Sequence, residues 1–259
     1  MRDVTAFSVG DIIRTTLAVY FNNLSAFLPL SLIALAPSFL IVLLPESSSF
    51  NDPPILPDPD ADPVASSEAM FPFYIVAIRE GLVGWLCPIL LNAALAYGVV
   101  RHLRGGQAGF VESLAQFAGR VVPAIGVTVI VAVATGIGFL LFVVPGVWLS
   151  IVLWVALPVV VIERGGLRAI TRSADLTSGF RGPIFGLALI LVVADYVVVS
   201  VAGWIVSAIL TDALLVYCVK QFVVVVAAGI YATAVSITYH DLRVLKEGVD
   251  TRSVSAVFD

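Results

Sequence analysis

Asp195 is the one charged residue inside an otherwise uncharged apolar run, 183–210, and lies fourteen residues beyond Arg181. On a helix rising 1.5 Å per residue that is a depth of about 21 Å, well inside a hydrocarbon layer about 30 Å thick. A carboxylate at that depth must be paired, protonated or wetted by a cavity. Counted from Arg101, Arg181 and His240, the polar residues at comparable levels are Asn92, Thr128, Tyr196 and Tyr231. Two chemistries fit: a protonated acid hydrogen-bonded between helices, which is structural, or a proton or cation relay. A single acid with no cation at its own depth is a thin basis for transport.

Arg164, Arg168 and Arg172 form the second set, recurring every fourth residue around an amphipathic stretch at 166–179. Leu167, Ile170, Ala174 and Thr177 share another side, and Asp175 follows Arg172. A helix lying at headgroup level would show this pattern, with its cations pairing with phospholipid phosphates at about 1 kcal/mol each near an anionic surface. The alternative is that these arginines only set orientation. The remaining reactive side chains form no site. His102 and His240 adjoin anchoring positions and read as interfacial polar residues, while Ser173 and Asp175, two apart on a helix, diverge. No G-x-S-x-G, H-E-x-x-H or phosphate-binding glycine loop occurs. Cys87 and Cys218 fall at depths about 12 Å apart, too far for a disulfide. The expectation is a chain without catalytic residues, cofactor or metal, and a basic face too sparse for nucleic acid.

Composition says what must position these groups. Of 259 residues 60% are hydrophobic and 12% charged, against about 25% charged in a soluble domain. With a mean hydropathy of +1.06, most of the surface must meet lipid. Apolar runs at 24–44, 81–100, 121–144, 147–162, 183–210 and 221–239 predict six transmembrane helices in an all-α polytopic membrane protein. The run 147–162 spans only about 24 Å, so it calls for local thinning or a hairpin tip at Pro145 and Gly146 sunk in the outer leaflet. Twelve of the fourteen Lys and Arg residues fall on one side of these spans. The positive-inside rule then puts both termini, including the tail 240–259, in the cytoplasm. Arg79, Glu80 and Lys220 fall at the outer interface as anchors. The acidic loop 45–70, without a cation, is a solvated extracytoplasmic spacer. The polar lead before 24–44 is not a cleaved signal peptide in pattern.

Amphipathic stretches at 8–22, 109–119 and 166–179 each precede a pair of spans, and Pro29, Pro123 and Pro183 follow them where the spans begin. Ser8 is a suitable N-cap for the first. The organisation expected over 1–259 is therefore three transmembrane hairpins, each led by an interfacial helix. Small residues at four-residue spacing, such as Ala134 and Gly138 or Ala228 and Ala232, allow close helix packing.

Two segments carry a resemblance. Pro145, Gly146, Pro158, Glu163, Ala169, Arg172, Ser173, Leu176, Thr177 and Gly179, with the tail Tyr239, His240, Asp241, Leu242, Arg243, Lys246, Glu247, Gly248 and Asp250, resemble the glycerophosphoryl diester phosphodiesterase membrane domain family and related bacterial membrane proteins. In some relatives this region is fused to a hydrolase barrel that carries the chemistry. Such a barrel needs about 200 or more further residues, and only nine follow Asp250 here. The resemblance therefore implies a free-standing membrane domain, and the Arg168 and Arg172 stripe with the missing catalytic groups leads to the expectation of a non-enzymatic, lipid-associated scaffold or partner-binding protein of a bacterial inner membrane. Its associates would be membrane phospholipids and a protein partner or a second copy. The rival expectation is a small transporter or lipid-translocating protein built around Asp195.

Overall fold

The computed structural model describes residues 4, 6–40, 71, 74, 75, 78, 81, 83, 87, 91–106 and 109–248. Among them every regular element is an α-helix. The loop 45–70, Arg79, Glu80 and the tail beyond 248 lie outside the described residues.

α1 (Val9–Asn22) starts where expected: Ser8 is extended, and its Oγ accepts the Asp11 N–H at 3.3 Å. It buries Ile12, Val19 and Tyr20 and exposes Leu17 and Phe21. At Asn23 the chain turns by 91° into α2 (Leu24–Leu40). Asn23 Nδ2 holds that corner, donating to the Val19 carbonyl at 2.8 Å and to His102 Nδ1 at 3.0 Å. His102 belongs to α3 (91–103), which an Arg101–Glu112 ion pair ties to α4 (Phe110–Ala118).

α5 (Val121–Leu141) and α6 (Val143–Val152) form a tight hairpin. The reversal is at Phe142, whose backbone is extended (φ −163°, ψ 156°), rather than at Pro145 and Gly146. Both of those lie within the first turn of α6, where a missing N–H costs no helical bond. Gly146 serves packing instead: a Cβ on Gly138 would lie 2.9 Å from its Cα. Pro123 and Pro183 also occupy first turns, whereas Pro29 is the sixth residue of α2 and lies inside it.

Starting at Val143 lengthens the run expected at 147–162 to 21 residues, Val143–Glu163. At about 31 Å it can cross without local thinning. The helix is broken at 153–155 into α6 and α7 (Ala156–Glu163). Pro158 is the cause: it has no N–H to give, and its ring crowds the carbonyl four residues back. α8 (Arg168–Thr177), α9 (Arg181–Ile209) and α10 (Ala213–Glu247) complete the order.

The 35-residue α10 is the post on which the rest is mounted, packing against α1, α2, α7, α8 and α9. Tyr20 of α1 lies across Gly229 of α10 so closely that a Cβ there would sit 2.6 Å from the ring. One core joins α1, α2, α3 and α10 around Tyr20, Phe27, Leu91 and Ile237. A second joins α3, α5, α7, α8 and α10 around Val127, Val160, Leu176 and Tyr239. Buried Thr16, Ser31, Thr233, Ser236 and Thr238 each return their hydroxyl to the carbonyl four residues back, which satisfies them in an apolar setting.

Among the described residues α5, α6–α7, α9 and α10 are each long and apolar enough to cross a membrane, and the bent α1–α2 pair makes five if it is one span. Their burial differs in a useful way. In its most apolar window α6–α7 is 56% buried, and α9 and α10 are each 11% buried; α6–α7 is an inner helix, α9 a peripheral one, and α10 is buried mainly in its second half, around Ala232, Ile237, Tyr239 and Leu242. Leu189, Val192, Val193, Val197, Trp204 and Ile209 of α9 are exposed.

Candidate functional site

The densest polar structure lies where α7, α8 and α10 meet. The break before α7 deprives the Val152 carbonyl of its helical donor, because the Ala156 N–H bonds Leu153 instead at 3.1 Å. Ser173 Oγ of α8 replaces it at 2.9 Å, and Thr177 Oγ1, 3.2 Å from the same carbonyl, shares its one proton with the Ser173 carbonyl at 2.9 Å. Ala169, Ser173, Leu176 and Thr177 form the buried face of α8, a helical spacing that turns both hydroxyls inward.

Arg172 stands on the flank of that face. Its Nε donates to Glu163 Oε2 at 3.0 Å, and its Nη2 to Glu247 Oε1. Glu163 Oε1 accepts the Tyr239 hydroxyl at 2.9 Å. Arg243 closes the ring, with Nε on Glu247 Oε2 at 3.0 Å and Nη1 on the Tyr239 hydroxyl at 3.3 Å. Lys246 adds bonds to the Asp175 carbonyl and to Ser178 Oγ, the latter at 2.6 Å. Two arginines and two glutamates thus cancel around a tyrosine. Partial burial works against the Arg172 charge, but the Glu247 and Glu163 carboxylates outweigh it and hold its pKa above the ordinary arginine value. Glu247 lies beyond the apolar part of α10. Burial pushes its carboxyl up, and the Arg172 and Arg243 hydrogen bonds more than reverse this, leaving it below the usual range.

The three arginines expected on one stripe therefore have different places. Arg172 is committed to this internal network. Arg164 is not on α8 at all; it ends α7 in the left-handed conformation (φ 56°) and lines a cavity with Arg120. Arg168 opens α8 and is exposed.

The deeper polar set divides as well. Asp195 and Tyr231 line one groove of about 480 Å³ between α1, α9 and α10, whose other lining residues are apolar except Thr16. Asp195 is exposed at that groove, and Tyr231 packs edge-on against Trp154 with ring centroids 5.5 Å apart. Asn92 is buried in α3 and Thr128 in α5, and neither lines the groove; Tyr196 is 72% exposed. His240, expected at an interface, is 5% exposed, with Nδ1 3.4 Å from Asp241 Oδ1.

The residues that sequence reasoning missed are Glu163 and Glu247 as partners of Arg172, Tyr239 as a partner of Glu163 and Arg243, and Arg120 as the neighbour of Arg164. Tyr239 and Glu163 are 76 residues apart and Arg172 and Glu247 are 75 apart, and the nine residues between Glu163 and Arg172 cross a helix break, so none of these pairs leaves a local signal. Among the described residues no three His, Cys, Asp or Glu side chains gather where a metal could be held. No family model, curated protein or solved structure matches the chain.

Proposed function

We propose that this chain is a non-enzymatic, lipid-associated integral membrane protein of a bacterial inner membrane, serving as a scaffold or partner-binding platform. Its arginine-rich end faces the cytoplasm and rests among anionic headgroups. The observation that carries this reading is how the arginines divide at that end. Arg172 and Arg243 are paired with Glu163 and Glu247, and Arg101 with Glu112, whereas Arg120, Arg164 and Arg168 have no acidic partner among the described residues. Cations left uncommitted at the mouth of apolar helices find their counter-charge in lipid phosphate. In this reading the apolar run 81–100 and the five apolar units make six crossings, arranged as three hairpins. The likeness to the glycerophosphoryl diester phosphodiesterase membrane domain family is consistent with it, because most of the residues that carry the likeness meet at one structural junction.

Native mass spectrometry of gently extracted protein tests the reading. Wild type is expected to retain selected anionic phospholipid that Arg164→Ala/Arg168→Ala loses; identical bulk lipid on both would overturn it. The rival transporter reading has Asp195 at an open groove in its favour. An apolar lining supports occupation by an acyl chain or a partner helix over a hydrated path. Loss of a proteoliposome flux in a folded Asp195→Asn variant would decide for the transporter.

A further inference from the structure

Arg120 and Arg164 line one cavity of about 500 Å³ between the start of α5 and the end of α7, together with Gln116, Pro123, Val160 and Gly166. Among the described residues no carboxylate pairs with either arginine, although the same end of the bundle supplies acids to Arg101, Arg172 and Arg243. Two guanidiniums beside one cavity repel each other. Burial lowers the Arg120 pKa, and the Arg164 charge lowers it further. Arg164 is also the one described non-glycine residue with positive φ, a position that glycine occupies at less cost. Gly165 and Gly166, the latter at φ 50°, follow it and supply the flexible backbone. Gln116 Oε1 accepts from Arg120 Nη2 at 3.0 Å, which fixes the first guanidinium. No side chain caps the first turn of α5, so its positive dipole end adds to the same region.

We infer that the Arg120–Arg164 cavity binds a phosphate group carried by an anionic ligand at the membrane surface. Paired guanidiniums match phosphate oxygens in geometry as well as charge. The cavity exceeds a bare phosphate and has apolar walls in Val160 and Pro123, and Val122 and Ile125 are exposed on α5 beside Pro123. These features favour a phospholipid headgroup over a free phosphate ester. The inference rests on the lipid reading above for the source of the phosphate only.

The test titrates the full chain in detergent with dioctanoyl phosphatidylglycerol, dioctanoyl phosphatidylcholine and inorganic phosphate, reading ligand-induced shifts in melting temperature. Arg120→Ala and Arg164→Gly are each expected to weaken phosphatidylglycerol binding about tenfold or more, the loss of a charge-assisted contact. Arg164→Gly suits the left-handed backbone, so its folding is not at risk. Arg14→Ala, which removes an exposed cation of α1, is expected to bind as wild type. Inorganic phosphate binding with the same arginine dependence and no preference for the lipid would keep the site and overturn the lipid reading. Equal weakening by Arg14→Ala, or no effect of Arg120→Ala and Arg164→Gly, would overturn the site while leaving Arg168 to the lipid reading.

Discussion

Removing Arg172 separates an internal tie from a headgroup contact. Its side chain is 31% exposed and its partners Glu163 and Glu247 are 20% and 25% exposed, so the network lies between a surface pair and a buried one. A surface pair contributes about 0–1 kcal/mol and a broken buried pair costs about 3–5 kcal/mol. Arg172→Ala is therefore expected to cost about 2–3 kcal/mol, because it leaves two glutamates to share Arg243. On the scaling for soluble chains of similar length this lowers Tm by roughly 5–10 °C. Neutralising one glutamate restores the balance, since Arg243 keeps Glu247 at 3.0 Å. Arg172→Ala/Glu163→Gln is thus expected to be more stable than Arg172→Ala alone, by at least about 1 kcal/mol. Thermal melts of the four purified proteins of this cycle in one detergent provide the measurement. If Arg172→Ala melts within 1 °C of wild type, or the two substitutions simply add, Arg172 is not held internally and returns to the lipid-facing set.

Three further outcomes follow from the same geometry. Ser173→Ala/Thr177→Val leaves the Val152 carbonyl without a side-chain donor and is expected to cost about 1–3 kcal/mol, with Thr177→Val alone the mildest because Ser173 Oγ remains at 2.9 Å; thermal melts of the double and both single variants check this. Gly229→Ala drives a methyl into the Tyr20 ring and is expected to destabilise by about 1–3 kcal/mol, partly relieved by Tyr20→Leu, as read by protease resistance in detergent. The Glu247 carboxyl is held below its unfolded value of about 4.3, so its contribution is complete above that pH and is lost as pH falls through the lower folded value. Glu247→Gln should flatten this acid limb of stability between pH 6 and pH 3, measured by Tm against pH.

The elements were more legible than their partnerships. The amphipathic stretch 8–22 and the Ser8 cap place α1 within a residue, because helix amphipathicity is local information. The reversal at Phe142 was hidden, since a turn between two apolar helices needs no polar punctuation there and Pro145 suits a helix start as well as a turn. The count from Arg181 fixes the position of Asp195 along α9, but its azimuth depends on the packing of α1 and α10, which no count of residues supplies. For Arg172 the four-residue spacing is real and the stripe is not: Gly165 and Gly166 end one helix before the next begins, and Glu247 arrives from 75 residues away.

The most direct test of the lipid-associated account is crosslinking with a phosphatidylglycerol analogue bearing a photoreactive headgroup, followed by peptide mapping of the protein irradiated in its own membrane. The account expects labels concentrated at 109–124 and 160–181, around Arg120, Arg164 and Arg168, and reduced in Arg120→Ala/Arg164→Gly. Labels spread evenly over both ends of the bundle, unchanged by that variant, would contradict it.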